Sequence, residues 1–267
     1  MIPGIGTPTE LRLRALLQPE VTALTPETLQ NRPMTLLTAD EAAALGVQCA
    51  GSGELSVVVR DPQRPLGGIR VECHGQNNVL CFDNAAWAGN CHANIRMLGA
   101  DGLVLFNDIA DGYVALHDVL LRSAGQILFW GAGSTAVGLS VEIEGEGAAV
   151  VIGDDALISN GVWIRNYDMH AMHDLKTGVQ INRRPADVVL ERHVWLGQEA
   201  LLLCCERIGM GSIVGARALA KGRIPPRVAA AGSPARVLRE AVSWGRHPYG
   251  MTDAERQLVG LAAPAKS

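Results

Sequence analysis

The sequence predicts a β-solenoid, a fold in which short strands coil into a stack, and three observations support this. Aliphatic residues recur every six positions in two runs: Ile152, Ile158 and Ile164, then Leu190, Leu196, Leu202, Ile208, Val214 and Ala220. A helix repeats every 3.6 residues and an isolated strand every two, so a period of six indicates the faces of a prism with the aliphatic side chains pointing to its axis.

The other two observations are glycine placement and aromatic content. Glycine follows the aliphatic residue at positions 153, 197, 209 and 215. We expect these glycines at the corners, in φ values that a Cβ atom disfavours. Aromatic residues make up only 4% of the chain, against 48% hydrophobic residues overall. Stacked aliphatic ladders need few large rings, so this composition agrees with a solenoid core.

The chain divides into three predicted segments: an N-terminal extension (1–50), a β-helix (51–232) and a C-terminal helix with a tail (233–267). Helices are expected within 7–21 and 38–47, the second capped by Thr38 or Asp40. From 54 to 150 the pattern is short β-like runs without a clean period. A polar stretch at about 166–187 interrupts the hexads and predicts a long loop. Further helices are expected at 235–244 and 253–261.

Charge and cysteine content narrow the functional classes. The net charge is −4, yet residues 207–246 hold eight basic residues and one acid. This distribution favours a local anion site and argues against a nucleic-acid partner. The six cysteines form no CxxC pair, and Cys204 and Cys205 are interpreted as structural. With no signal peptide and no apolar run of membrane-spanning length, a reduced, cytoplasmic location without membrane insertion is predicted.

The interrupting loop is the best candidate for chemistry, because it contains His170 between two acids, Asp168 and Asp174. A neutral imidazole is a suitable general base near pH 7. Either carboxylate is a candidate to orient the ring and stabilise its cationic form.

The hexad region resembles the hexapeptide-repeat acyltransferases, which are left-handed β-helices, and is most similar to the branch that O-acetylates sugars and polysaccharides. The pieces that carry the resemblance are IGDDALIS (152–159), YDMHAMHDLKTGVQIN (167–182), HVWLG (193–197), IGMGSIVGA (208–216), IPP (224–226) and AGSPARV (231–237). The resemblance implies a left-handed parallel β-helix, acetyl-CoA as co-substrate, no metal, and a homotrimer with the coenzyme between neighbouring subunits.

The same resemblance implies roles for individual residues. His170 falls on the family's catalytic base and Trp195 on its active-site tryptophan, with Asp168 as a candidate partner of the base. Four further residues match positions that contact the pantetheine arm or the phosphates of the coenzyme: Gly197, Ala216, Arg236 and Arg239. Without gaps, the family's lysine falls on Gly222, so Lys221 and Arg223 both remain candidates. A packing role for Trp195 at a coil corner remains a competing interpretation.

The expected activity is therefore transfer of acetyl from acetyl-CoA to a carbohydrate hydroxyl, by direct attack with His170 as general base. Three alternatives remain. The acceptor is an amino sugar or another small molecule; the protein is a zinc-binding, carbonic anhydrase-like trimer using His170, His173 and His193; or it is a non-catalytic solenoid that serves as a binding surface. Metal analysis and a His170→Ala variant distinguish these alternatives.

Overall fold

The structure is a computed structural model that describes residues 2–109, 112–182 and 186–261. Residues 183–185 of the predicted loop and 262–267 of the predicted tail lie outside the described residues. The helices are α1 (Thr7–Leu16), α2 (Pro26–Gln30), α3 (Ala39–Ala44) and α4 (Asp253–Leu258). The strands are β1 (Thr35–Leu37), β2 (Val47–Ala50), β3 (Leu55–Val59), β4 (Gly67–Cys73), β5 (Asn78–Asp83), β6 (Cys91–Met97), β7 (Leu103–Asn107), β8 (Val114–Leu121), β9 (Ile127–Trp130), β10 (Thr135–Ile143), β11 (Ala149–Ile152), β12 (Leu157–Ile158), β13 (Val162–Arg165), β14 (Val188–Leu190), β15 (Trp195–Leu196), β16 (Leu201–Ile208), β17 (Ile213–Val214), β18 (Leu219–Ile224), β19 (Val228–Ala231) and β20 (Arg236–Glu240).

Parallel strands stack into two ladders that run the length of the molecule. The first ladder begins with β2 and continues through β4, β6, β8 and β10 to β12 and β13. The second begins with β3 and continues through β5, β7, β9 and β11 to β14. All nine aliphatic residues of the six-residue pattern are at most 1% exposed and lie in one hydrophobic core. The predicted all-β solenoid is confirmed.

Coil length explains why the period is clean in only part of the chain. In the later coils, paired residues lie 18 positions apart, as for Leu196 and Val214, so each of three faces takes six residues. In the earlier coils the interval is 22 to 24, as for Val47 and Ile69 or Ile69 and Ala93. Between Ile158 and Leu196 the interval is 38, because the predicted loop leaves the prism within that coil.

The corner glycines serve a different purpose from the one expected. Gly153, Gly197, Gly209 and Gly215 are not in the positive-φ region, so that expectation is wrong. A Cβ atom on Gly197 would lie 2.6 Å from the backbone nitrogen of Ala216 in the next coil. These glycines are needed because adjacent coils approach closely. The left-handed conformation falls two positions later, on residues such as Glu199 and Arg217, both at φ 57°.

The N-terminal extension covers one outer face of the prism. A second core joins Leu13, Leu16 and Leu29 to the outward side chains of β3, β5, β7, β9 and β11. Those strands are therefore buried on both faces and show apolar runs without alternation. The predicted cap of α3 is confirmed: Thr38 Oγ1 accepts from Glu41 N (3.3 Å) and Glu41 Oε2 accepts from Thr38 N (2.7 Å).

The C-terminal segment departs from the sequence prediction. The helix expected over 235–244 is wrong, because Arg236–Glu240 forms β20, antiparallel to β19. β19 belongs to the last coil, so its outer edge would leave backbone groups unpaired, and β20 satisfies them. Val237 and Leu238 remain 41% and 71% exposed, so the apolar spacing did not indicate a buried helix face. The helix expected at 253–261 is present as α4, with Thr252 and Glu255 forming its capping box.

Candidate active site

The predicted loop forms an arm, defined here as residues 166–182 together with Ala186, that leaves the prism after β13. Asn166 joins its two ends: the buried side-chain amide donates to the carbonyl oxygens of Glu144 (2.9 Å) and Ala186 (3.0 Å). Tyr167 Oη donates to Glu142 Oε2 at 3.1 Å. Burial raises the pKa of Tyr167, and the neighbouring Glu142 carboxylate adds to the shift. The base of the arm is therefore fixed to β10.

Beyond its base, the arm folds back on itself as a short antiparallel pair. Backbone nitrogens of Asp174 and Ile181 donate to the carbonyl oxygens of Val179 (2.9 Å) and Met172 (2.8 Å). Asp174 Oδ1 accepts from the backbone nitrogens of Lys176 and Thr177, both at 2.8 Å. Those hydrogen bonds to backbone N–H groups lower the pKa of Asp174. Its carboxylate thus closes the turn at the tip of the arm.

His170 lies on the exposed part of the arm, and its backbone is held on both sides. Its N–H donates to the Asp168 carbonyl at 2.8 Å, and its carbonyl accepts from Asn182 Nδ2 at 2.9 Å. Asn182 Oδ1 also accepts from the backbone nitrogen of Met172 at 3.0 Å. Among the residues that the structure describes, no side chain hydrogen-bonds the imidazole. The ring is therefore open to solvent while its backbone is fixed.

Asp168 anchors the arm to the coils in this structure. Its carboxylate lies 4.0 Å from Lys221 Nζ, accepts from Cys204 Sγ at 3.6 Å, and is 3.4 Å from Asn182 Nδ2. The two acids considered as partners of His170 thus have other contacts, Asp168 at the coils and Asp174 at the turn. An orienting role for Asp168 stays a prediction.

Trp195 lies on β15, between Leu157 and Ile213 in the ladder. Its indole Nε1 is buried and has no hydrogen-bond partner among the described residues. A buried polar group without a partner is uncommon, and it makes this N–H a candidate donor for the site. The ring centroid is 6.1 Å from that of Trp244, so the C-terminal segment packs beside it.

Trp244 belongs to a partly buried cluster that the sequence analysis missed, which we call the clasp: Asp155, His193, Trp244, Arg246 and Glu255. The His193 and Trp244 rings are stacked, with centroids 4.1 Å apart. His193 Nδ1 lies 2.6 Å from Asp155 Oδ2, and Nε2 lies 2.8 Å from the Trp244 carbonyl oxygen. Arg246 donates to Asp155 Oδ1 at 2.6 Å and its backbone nitrogen to Glu255 at 2.8 Å. The clasp joins a coil corner to the C-terminal segment beside Trp195.

The clasp also bears on the zinc alternative. Both ring nitrogens of His193 are engaged within the clasp, so the ring is not available to a metal alongside His170 and His173. Across residues 2–109, 112–182 and 186–261, no group of three His, Cys, Asp or Glu side chains is arranged to hold a metal ion.

The residues expected to contact the coenzyme lie on the last coils. Gly197 packs directly against Ala216 of the next coil. Lys221 and Arg223 lie on β18, where Arg223 Nε donates to Glu206 Oε2 at 3.0 Å. Arg236 and Arg239 are exposed on β20. Cys205 lies on β16, the strand next to β18, and is buried. Burial raises the pKa of its thiol to about 12, which agrees with a structural role.

The proteins to which the chain is similar in sequence include several that are named as acetyltransferases. The chain matches no known protein-family model. It is 32% identical over 132 residues to the polysialic acid O-acetyltransferase of Neisseria meningitidis, covering 48% of this chain and 59% of that protein. It is 32% identical over 100 residues to the galactoside O-acetyltransferase of Escherichia coli strain K12, covering 38% and 48%. The matched segments thus span roughly half the length of these two relatives.

Solved structures extend the likeness to most of the chain. The polySia-specific acetyltransferase NeuO superposes with a TM-score of 0.54 and 22% identity, covering 79% of this chain and 83% of that one. The polysialic acid O-acetyltransferase OatWY superposes with a TM-score of 0.55 and 23% identity, covering 78% and 95%. The predicted left-handed parallel β-helix is thereby confirmed. In sequence and in fold, the chain resembles the hexapeptide-repeat O-acetyltransferases, as its motifs predicted.

Proposed function

We propose that the protein is an acetyl-CoA-dependent O-acetyltransferase that acts on a carbohydrate hydroxyl. The observation that carries the proposal is His170, an exposed imidazole on an arm fixed at its base by Asn166 and around the ring's own backbone by Asn182. The relatives are named for acetyl transfer to polysialic acid and to galactosides, which supports a saccharide acceptor. A cytoplasmic location belongs to the same proposal.

The proposed chemistry is direct transfer without a covalent enzyme intermediate. Neutral His170 takes the proton from the sugar hydroxyl as the oxygen attacks the thioester carbonyl of acetyl-CoA. A tetrahedral oxyanion forms, the C–S bond breaks, and the coenzyme leaves as a thiolate that receives the proton from the imidazolium. General-base help of this kind is worth about 10²–10⁴-fold in rate.

Trp195 is proposed to line the same site. Its indole N–H, which has no partner among the described residues, would donate a hydrogen bond to a substrate oxygen and so offset the cost of burying an unpaired donor. The clasp supports this role, because stacking of Trp244 on His193 fixes the surface against which Trp195 packs. The arm therefore supplies the base, and the coil supplies a rigid wall.

Coenzyme contacts and assembly complete the proposal. We propose that Gly197 and Ala216 lie along the pantetheine arm of the coenzyme. Lys221, Arg223, Arg236 and Arg239 are proposed to lie near its phosphates, since arginine binds phosphate oxygens in pairs.

A homotrimer is proposed on the resemblance. It is supported by apolar side chains of the arm that are exposed in one copy, Leu175 at 99% and Ile181 at 64%, because a neighbouring subunit would cover them.

Thiol release from acetyl-CoA tests the proposal. Wild type is expected to release thiol with at least one member of a panel of oligosaccharides, with mass spectrometry showing the acetylated product. His170→Ala should be slower by about 10²–10⁴-fold, since only the general base is lost. His74→Ala is the matched control, because that exposed histidine lies far along the chain from the arm and its ring pairs with Glu72.

Two results would contradict the proposal. Equal rates for wild type and His170→Ala would show that the imidazole is not the base. Absence of thiol release with every acceptor would favour the non-catalytic solenoid over the enzyme.

A further inference from the structure

A polar groove crosses the outer surface of the first ladder, on the four consecutive strands β2, β4, β6 and β8. Its volume is about 360 Å³. Six side chains with hydrogen-bonding groups line it: Gln48, Arg70, His92, Asn94, Tyr113 and His117. None of them belongs to the candidate active site. They come from different coils, so the stacking of the solenoid brings them together.

Most of these polar groups have no hydrogen-bond partner among the residues that the structure describes. Within the described part of the chain, no hydrogen bond or ion pair engages the side chain of Gln48 or Arg70, or the ring nitrogens of His92 and His117. By contrast, charged side chains outside the groove pair with each other. Arg96 donates to Asp118 through two nitrogens, at 2.8 to 3.2 Å. The groove thus concentrates unpaired hydrogen-bonding groups that a ligand can satisfy.

The shape of the groove depends on a glycine and an aromatic ring. A Cβ atom on Gly68 would lie 2.9 Å from His92 Nδ1, so a larger residue at this position would displace the imidazole from its place in the groove. The Tyr113 ring stands beside it, 46% exposed, with ring centroids 5.9 Å apart and planes tilted by 48°. An exposed ring above a polar floor offers an apolar face together with hydrogen bonds, which suits a flat ligand that has both C–H and O–H groups.

The charge of the lining side chains further restricts the chemical class of the ligand. Among the described residues that line the groove, Arg70 has the only permanent charge; the other polar side chains are amides, imidazoles and a phenol. A guanidinium binds a carboxylate through two parallel hydrogen bonds, whereas a polyphosphate or nucleic acid needs many cations. The chemistry therefore matches a sugar chain that carries a carboxylate, with amides and imidazoles binding its hydroxyls.

The position of the groove relates it to the arm. β8 pairs with β10 and β10 with β13, which leads directly into the arm that carries His170. Two ladder steps span roughly 10 Å. We propose that the groove is an accessory site for a carboxylated oligosaccharide, binding the acceptor chain at sugars distant from the one acetylated. This inference rests on the proposed function for its acceptor, although the groove itself is independent of His170.

Binding without acetyl-CoA tests the groove separately from catalysis. Isothermal titration calorimetry of the full chain with a hexamer of galacturonic acid should give measurable binding, and the neutral maltohexaose should bind at least about 10-fold more weakly. Arg70→Ala should weaken binding of the charged hexamer by about 10-fold or more, the value of a charge-assisted hydrogen bond. Tyr113→Ala should weaken both hexamers. Arg217→Ala is the control, because Arg217 is also exposed but pairs with Glu199.

Several outcomes would overturn the inference. No binding of the charged hexamer, equal binding of both hexamers, or unchanged binding by Arg70→Ala each does so. A change of molar mass in Arg70→Ala by light scattering would show instead that this face contacts a second copy. Failure of the proposed function looks different: the charged hexamer binds and Arg70→Ala weakens it, but no acceptor releases thiol from acetyl-CoA.

Discussion

Asn182 is the residue that fixes the backbone immediately after the candidate base. Its amide group donates to the His170 carbonyl and accepts from the Met172 nitrogen, at 2.9 and 3.0 Å. One planar side chain therefore sets the path of three consecutive arm residues. Since His170 has no side-chain partner among the described residues, backbone position is what determines where its ring can reach.

Asn182→Ala should lower kcat for thiol release by roughly 10- to 100-fold with little change in KM, because misplacing a reacting group by about 1 Å costs up to about 10² in rate. Asn182→Asp should fall between, since a carboxylate accepts from Met172 but cannot donate to His170. Lys176→Ala, at the exposed tip of the same arm, serves as control. If Asn182→Ala turns over as fast as wild type, Asn182 is not a positioning residue.

At the scale of elements, the clasp determines how the C-terminal segment is held against the coils. Burial acts to raise the pKa of Asp155, but the hydrogen bond with His193 and the charge of Arg246 outweigh it, so the pKa lies below its usual value. A carboxylate with a lowered pKa stabilises the fold above its unfolded-state pKa and loses that contribution as the pH falls through the folded-state pKa.

Asp155→Asn should therefore unfold more easily than wild type at pH 7, by about 1–3 kcal/mol, the value of hydrogen bonds to a charged group. The difference should begin to shrink as the pH falls below about 4, where the unfolded chain binds a proton at Asp155, and should disappear as the pH passes through the lower folded-state pKa. Denaturant unfolding at pH 7, 5 and 3 measures it. Asp253→Asn, an exposed acid in α4, should differ from wild type by no more than about 0.5 kcal/mol. A gap that stays constant with pH would contradict this assignment.

The elements show how far the sequence could predict this fold. The 18-residue coils give an unbroken six-residue pattern, so Leu196 and Val214 were predictable as core. The 22- to 24-residue coils give no six-residue pattern. Strands such as β5 are buried on both faces, so they show no apolar–polar alternation either. β20 looked amphipathic, yet its structure is decided by the open edge of β19, which lies outside any local window.

The residues of the candidate site likewise divide into those that the sequence could indicate and those that it could not. His170 was predictable because the arm interrupts a regular pattern, and a polar insertion in a solenoid is a local signal. Asn182 and Trp244 were not, because their partners lie 12 and 51 residues away in sequence. No spacing rule connects such positions. The sequence likewise could not show that the indole N–H of Trp195 has no hydrogen-bond partner among the described residues, because that depends on how the neighbouring coils pack.

At the scale of the whole molecule, the N-terminal extension is the outer cover of the second ladder. Leu13, Leu16 and Leu29 pack on outward side chains such as Leu105 and Phe129, which would otherwise form an apolar surface along several coils. A solenoid buries its axis by stacking, but only additional chain can bury an outer face. The extension is thus part of the stability of the solenoid rather than an appended unit. No helix in the described part of the chain has the length and apolar character needed to span a bilayer.

A matched pair of leucines in α1 tests this role. Leu13 is 1% exposed and Leu11 is 62% exposed on the same helix, so helix propensity and chemistry are alike and only burial differs. Leu13→Ala should cost about 2–5 kcal/mol of unfolding free energy, whereas Leu11→Ala should cost no more than about 0.5 kcal/mol. Hydrogen exchange should also accelerate in β5 and β7 of Leu13→Ala, because loosening the cover lets water reach their outer face. If exchange increased only within residues 2–30 while β5 and β7 stayed protected, the cover would be dispensable and the prism would be stable on its own.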